Sequence, residues 1–594
     1  MGLGRKEGVL SEFTAIKCLP PSLYYIYLKT FCKIWLGNYA LIDTHSEKVN
    51  HILWIWAAVF VICCLAGCGT EHYKTDADRE VYQIIDQKWR DDLGSQNNYK
   101  IGDVSRSPND VNVAVPLIQS DRLSLAGSVA LATACNRSYQ TQKEQLYLSA
   151  LDLTIQRHHF KPQFYGLLGT GYTYDDQEEH VNSDSQFGFN QLLADGANIS
   201  VGIGLDWFRF LTGDPRSSLG SVLTATVTQP LLRGRGRTIV QENLTQAERN
   251  TIYELRSFSR FRKEFVVSTV SEYYSVIQLL DAVKNDKNNY DSLLLSQKRI
   301  EAMAETGRLP RYQEGDARQS TLQAEQKYIR SQELYKATLD QFKLRLALPT
   351  DTSLELDPNE LIALETVGIT DPNFDLVQAI ETALENRLDL ANVRDRIADA
   401  QRKVKVAADN LGAELNLIGS ARVNSEEKTN LGNIQLHRGK YELGLEADLP
   451  LDRKAERNAY REALINVMRK QRDYEQKIDQ VKLDVRQAFR DLSKTYNSYR
   501  IQLMSLNLAK KRVEMQLILL QEGRGTTRDY LFAQEDLLRA QNEKTNALVR
   551  YTLAKLEFFR DVGVLQVKPD GMWQQADKNL SRLGTISLQN KEVL

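Results

Sequence analysis

Cysteine is nearly missing from the body of this 594-residue chain. Cys18, Cys32, Cys63, Cys64 and Cys68 all lie near the amino terminus, and Cys135 stands alone after them. The body therefore holds neither a disulfide framework nor a Cys/His ligand cluster. Proline is scarce, with 13 residues, as long helices require. An excess of one charge is also lacking. Lys and Arg number 76 against 77 Asp and Glu, for a formal net charge of -1, which argues against a nucleic-acid partner. No phosphate-binding Gly-x-x-x-x-Gly-Lys-Ser/Thr occurs, and Gly169-Thr-Gly171 lacks the third glycine and following helix of a dinucleotide loop. His158 and His159 are adjacent, so their side chains diverge, and a structural or solvated role outweighs metal binding. With no clustered catalytic constellation, neither an enzyme nor a cofactor is expected.

What the chain does have is length without helix breakers. Leu451 to Glu522 contains no Gly or Pro, and a helix over it would be on the order of 100 Å long. Val485, Phe489, Leu492, Tyr496, Tyr499, Leu503, Leu506, Val513, Leu517 and Leu520 follow a 4-3-4-3 spacing broken only at Lys510. Such a seam, of period about 3.5 residues, packs against other helices. Arg237 to Thr306 is a second run of this kind, with Val266, Val270, Tyr273, Ile277 and Leu280 in the same spacing. The approaches also match. Gln229-Pro-Leu-Leu-Arg233 aligns with Leu449-Pro-Leu-Asp-Arg453, and Glu242 and Leu244 then align with Glu462 and Leu464. A duplicated unit is implied.

The amino-terminal stretch is of another character. From Ile52 to Gly69 there is no charge, and the run ends Leu65-Ala66-Gly67-Cys68. A single membrane span is one reading. The small Ala66-Gly67 pair and the polar sequence from Glu71 favour the other, a lipoprotein-type signal with lipid attachment at Cys68. The long segment before the apolar run suggests that translation starts downstream of Met1. Residues 1–67 are thus expected to be a signal or leader region, and 68–121 a lipid-anchored polar tether with one short helical pattern around Asp76–Trp89.

Two units follow, over 122–349 and 373–565, joined by a linker at 350–372 and trailed by a polar tail at 566–594. Each opens with an amphipathic helix, Ser124–His159 and Phe374–Asn410, and passes into period-two stretches. Phe160, Phe164, Leu168, Tyr172 and Tyr174 mark one strand, and Leu223, Ala225 and Val227 alternate with threonines in its return. In the second unit Leu415, Leu417, Gly419, Ala421 and Val423 are followed by Tyr441, Leu443, Leu445, Ala447 and Leu449, alternating with Glu442, Gly444, Glu446 and Asp448. An ordinary half-buried sheet or a transmembrane barrel gives this pattern. About four such strands per chain are too few to close a barrel, and an open sheet cannot sit in lipid. If the strands meet lipid, several chains share one wall, and three copies of four strands would make about twelve. The Asp175–Ser218 insertion leaves room for a second hairpin. Each rod ends at a glycine turn, Thr306-Gly-Arg-Leu-Pro310 and Glu522-Gly-Arg-Gly-Thr-Thr527, and returns through helices over about Tyr312–Ala347 and Arg528–Val562.

This ordered set, occurring twice with Thr228-Gln-Pro-Leu-Leu-Arg-Gly234 and Asn386-Arg-Leu-Asp-Leu390, resembles the TolC-type outer-membrane efflux protein family, and a lipidated Cys68 its lipoprotein branch. The likeness covers roughly residues 122–565. It implies a mainly α fold with a transmembrane β portion: a homotrimer with an α-barrel tunnel in the periplasm and a shared 12-stranded β-barrel in the outer membrane. It further implies a passive export duct of a tripartite efflux pump or type I secretion system, partnered by a periplasmic adaptor protein and an inner-membrane pump. The periplasmic turns would be Gly307, Arg308, Leu309 and Arg311 in one unit and Gly523, Arg524, Gly525 and Arg528 in the other. Their arginines either gate the tunnel by pairing across protomers, dock the adaptor, or are ordinary solvated turn residues. Glu442, Glu446 and Asp448 face either the lumen, where copies would form cation-favouring rings, or plain solvent. A non-conducting coiled-coil envelope scaffold would explain the rods but not the amphipathic strands. A surface lipoprotein enzyme would need a catalytic constellation, and none is found.

Overall fold

The structure is a computed structural model that describes residues 69–568 and 573–575, apart from 91–92, 95, 97, 103–121, 175–178, 211–216, 370, 373, 426–434 and 450. The Cys68 lipidation reading lies outside the described residues. Two compact units are distinguished, Met1–Ala77 and Asp78–Leu594. In the first, only the opening of helix α1 (Thr70–Lys88) is described. All that follows concerns the second.

Each half begins with helix broken by one extended residue. The helix expected over Ser124–His159 is two, α2 (Leu125–Cys135) and α3 (Arg137–His158), and that over Phe374–Asn410 is α8 (Leu376–Asn386) and α9 (Leu388–Asp409). At Asn136 the backbone turns to φ -64°, ψ 130°, and at Arg387 to φ -70°, ψ 114°. Asn136 stabilises its break by accepting from the Tyr139 amide and donating to the Arg345 carbonyl.

The rods are α5 (Glu242–Glu305, 64 residues), preceded by a short α4 (Arg237–Val240), and α10 (Lys454–Gln521, 68 residues). At 1.5 Å per residue each is about 100 Å long. They return as α6 (Tyr312–Arg345) and α11 (Thr527–Val562). On α10 the seam positions Val485, Leu492, Tyr499, Leu506 and Leu520 are buried and Lys510 is exposed. On α5 burial is broader, taking in Val267, Tyr274 and Val276 beside Val266, Val270, Tyr273 and Ile277. The reason is position, for α5 packs against α3, α6, α9 and α11 at once.

The tether reading needs correction after Ala77. Val81, Ile84 and Ile85, whose spacing gives α1 an apolar face, join the main hydrophobic core, and Leu93 and Tyr99 beyond the helix join it too. The linker is also structured: α7 (Asn359–Val367) follows a parallel bridge between Leu123 and Leu356, and Leu354, Leu356 and Leu361 are buried. In the tail, β7 (Leu565–Val567) pairs with β8 (Trp573–Gln575).

The strands form one antiparallel sheet of six, in chain order: β1 (Gln163–Tyr174), β2 (Glu179–Leu192), β3 (Asn198–Phe210), β4 (Ser217–Pro230), β5 (Glu414–Asn424) and β6 (Lys440–Asp448). This corrects the count of about four. The insertion supplies β2 and β3, and they lie between β1 and β4 in the sheet.

Candidate functional site

The sheet has two chemically distinct faces, and its register keeps them apart across every strand. One row of paired residues runs Phe164, Phe189, Val201, Ala225, Ala421, Tyr441. The adjacent row, on the opposite face, runs Gln163, Asn190, Ser200, Thr226, Ser420, Glu442. Side chains alternate with period two, so a slip of one residue anywhere would mix the faces. Apolar departures on the polar side include Leu167, Leu192, Val222 and Ile418. The apolar face is open: Phe164 is 81% exposed and Leu443 79%. An uncovered apolar face of this extent is not that of a finished water-soluble monomer.

Glycine and aromatic residues lock the register. Tyr165 lies across β2 and β3 on the polar face: a Cβ at Gly188 or Gly202 would meet its hydroxyl oxygen at 2.6 Å or 2.9 Å. On the apolar face Phe187 covers Gly166 in the same way, and the Phe164 and Phe189 rings stand 5.9 Å apart across the strand pair.

Glu442, Glu446 and Asp448 sit on the polar face, opposite Ser420, Asn416 and Glu414. They share that face with cations. Lys440 Nζ stands 2.5 Å from Glu442, Arg422 pairs with Lys440 across the strands, and Arg233 reaches Glu414 at 2.7 Å.

The two glycine turns have the same construction. Gly307 (φ 74°) donates to the Ala304 carbonyl and Arg308 to that of Met303; Gly523 (φ 69°) donates to Leu520 and Arg524 to Leu519. Both are the bonding pattern of a left-handed helix stop, which satisfies the last carbonyls of the rod. The turns also share one small core, in which Ile300, Leu309 and Ala317 meet Leu520 and Tyr530. Thr527 Oγ1 donates to Gln313 Oε1 at 2.6 Å, and the Ser296 and Tyr530 hydroxyls are 3.1 Å apart. Leu309 is therefore buried, at 8% exposure, within this shared core. Arg308, Arg311, Arg524 and Arg528 are exposed, and none forms an ion pair with the described residues. Arg528 instead lies over the Phe532 ring, 5.3 Å from its centre.

Two features were missed in the sequence. Asn386-Arg-Leu-Asp-Leu390 centres on an ion cluster around the buried Arg387. The Arg387 guanidinium donates to Asp389 at 3.1 and 2.9 Å and to Asp484 at 2.8 Å, while Arg260 and Lys477 approach Asp389 at 2.9 and 2.8 Å. Burial alone would raise the Asp389 carboxyl, but hydrogen bonds from Arg387 and Lys477 and the charges of Arg260 and Arg387 hold it far below the usual carboxylate range. The cluster ties α9 to both rods. The second feature is another seam on α10, where Ile501, Met504, Leu508, Met515 and Ile518 are all more than half exposed. The spacing was available to find it, but the neighbouring seam hid it.

Among the described residues no helix is long and apolar enough to cross a membrane, and no group of His, Cys, Asp and Glu is placed to hold a metal. The first finding says nothing about a β-barrel.

Residues 379–560 match the family model described as outer membrane efflux protein. The second half of the chain thus carries a domain of that family, and the resemblance drawn from the sequence holds there. No curated protein matches the sequence. Among solved structures, the Campylobacter jejuni CmeC outer membrane channel is similar at 14% identity and TM-score 0.53, covering 84% of this chain and 96% of that one. The open state of the Neisseria gonorrhoeae MtrE outer membrane channel is similar at 13% identity and TM-score 0.54, with 74% and 88% covered. The outer membrane protein VceC of Vibrio cholerae is similar at 14% identity and TM-score 0.53, with 74% and 96% covered. At these identities the likeness is one of fold: a mainly helical chain shared with outer-membrane channels.

Proposed function

We propose that the chain is the outer-membrane subunit of an export assembly, in which copies of it form a passive duct. The duplicated helical hairpins build the tunnel, and the sheets together build the wall in lipid. Transport then depends on geometry and lined charge, with energy supplied by an inner-membrane pump reached through a periplasmic adaptor. The observation that carries this reading is the two-faced sheet with open edges. Unpaired edge N–H and C=O groups cannot remain in hydrocarbon, so a sheet of this kind enters lipid only when copies close it. The exposed second seam of α10 supports the same gathering of copies, since it offers a packing surface of coiled-coil spacing. Glu442, Glu446 and Asp448 then face the lumen, the four turn arginines lie at the adaptor end of a homotrimer, and acylated Cys68 anchors the mature chain.

Planar-bilayer recordings of the purified full-length protein test the reading. A heat-resistant oligomer with stepwise conductance is expected, and Arg524→Glu should alter the open fraction or the export it supports. A water-soluble monomer that never conducts would refute the duct, and mass spectrometry of the mature chain checks the Cys68 modification separately.

A further inference from the structure

We infer that the wall holds eighteen strands, six from each of three copies, with β1 of one chain hydrogen-bonded to β6 of the next. This rests on the duct proposed above and adds the insertion hairpin, β2 and β3, to the membrane wall.

Four observations carry it. First, β2 and β3 are 14 and 13 residues long, at least the roughly 9–11 that span a bilayer when tilted. Second, along their helix-side halves they keep the sheet's two faces. Phe187, Phe189, Val201 and Ile203 lie on the apolar side, and Asn190 and Ser200 on the polar side. A flap standing in water has no need of that alternation. Tyr165 reaching across Gly188 and Gly202 fastens the hairpin to β1 from within the wall. Third, six strands in antiparallel order leave β6 running opposite to β1, so edges of successive copies join antiparallel without a break in pattern.

Fourth, the sheet is staggered as a barrel requires. The polar row that starts at Gln163, the first residue of β1, reaches β6 at Glu442, six residues before the strand ends at Asp448. Both ends lie on the side from which the helices leave. With a rise of about 3.3 Å and a strand spacing of about 4.8 Å, that slope corresponds to a tilt of about 40°, inside the range of closed barrels. Aromatic residues fit the same frame. Phe164 and Phe189 mark the helix side of the apolar face, and Tyr172 and Tyr174 lie eight and ten residues further along β1 than Phe164, as interfacial girdles do. Eighteen strands at this tilt enclose a backbone diameter of about 36 Å, against about 24 Å for twelve. The duct would pass bulkier cargo at the outer membrane than a twelve-stranded wall admits.

Single-particle imaging of the full-length protein in lipid nanodiscs tests this, with a variant lacking residues 179–210 beside it. Removing that hairpin leaves β1 and β4 antiparallel, so the variant should form a twelve-stranded wall about two-thirds as wide. Edge cross-linking gives a second measure that does not need the deletion to fold. Paired cysteine scans over 163–174 and 440–448 should yield covalent trimers. Eighteen strands in three copies support the inference. A trimer with twelve wall strands and the hairpin outside, or twelve strands from two copies, overturns it while leaving a duct. A particle with no membrane wall at all sinks the duct itself.

Discussion

Replacing Asp389 by alanine should cost more stability than any comparable change on the surface of the rods. Its carboxylate receives Arg387, Arg260 and Lys477 within 3.1 Å, and the Arg387 side chain is only 2% exposed. Taking the anion away leaves a buried guanidinium with Asp484 alone, and breaking a buried pair in this way costs about 3–5 kcal/mol. The exposed Arg539–Glu535 pair, with both side chains more than half exposed, is the control, and Arg539→Ala should have little effect. Loss of helical circular dichroism in denaturant reads both. The pH dependence has a definite sign. The folded Asp389 carboxyl is depressed, so its contribution is full above an unfolded value of about 4 and is lost as pH falls through the folded one. The gap between wild type and variant should thus hold from neutral pH to about 4 and close only below it. A double variant, Arg387→Met with Asp389→Leu, should recover much of the loss, because well-packed apolar groups replace buried ions at little cost. An Asp389→Ala cost below about 1 kcal/mol, or a gap unchanged down to strong acid, would refute the assignment of this cluster as the joint between α9 and the rods.

The glycine turns and their shared core give two further expectations. Gly307→Ala and Gly523→Ala meet open space but require a left-handed residue, so each should cost about 1 kcal/mol, seen as faster amide exchange confined to that turn. Asparagine at either position should cost less. Leu309→Ala should cost about 2–3 kcal/mol and loosen both turns together, since its cluster includes Leu520 and Tyr530 from the other hairpin. If exchange quickens in the first turn alone, the two turns are not one unit.

The rods were legible because their signal is long and redundant. A run without Gly or Pro and a repeated seam leave little choice, and α5, α6, α10 and α11 begin or end within a few residues of expectation. The breaks at Asn136 and Arg387 were not legible. Neither residue is a helix breaker, and each adopts its extended geometry because of distant partners: the Arg345 carbonyl for one and Asp484 for the other. The turn residues show the same division. Gly307 and Gly523 announce themselves by type, whereas burial of Leu309 depends on Leu520 and Tyr530 lying beside it. Charge on the polar face was half legible. Glu442, Glu446 and Asp448 alternate along one strand, but Arg422 and Arg233 come from neighbours that only the register supplies.

The insertion hairpin is the instructive case, because the sequence leaves room for it without marking its strands clearly. In β2 the apolar side carries Phe189, Phe187, Ser185 and Ser183 in order, so half the strand reads as polar on both faces. In β3, Gly202 and Gly204 empty the polar face and leave Ile199, Val201, Ile203 and Leu205 to mark the other. Taken singly, each strand is weak. Paired, they complement each other: Phe187 meets Ile203, Phe189 meets Val201, and the glycines admit Tyr165 from β1. Cross-strand pairs are the unit in which a sheet is stabilised. Tyr165→Ala therefore tests whether the hairpin belongs to the wall. If it does, losing that ring uncovers Gly188 and Gly202, and the β1–β2 amides should exchange faster while α5 and α10 stay protected. Unchanged protection in the hairpin would mean that something other than this packing holds it in place.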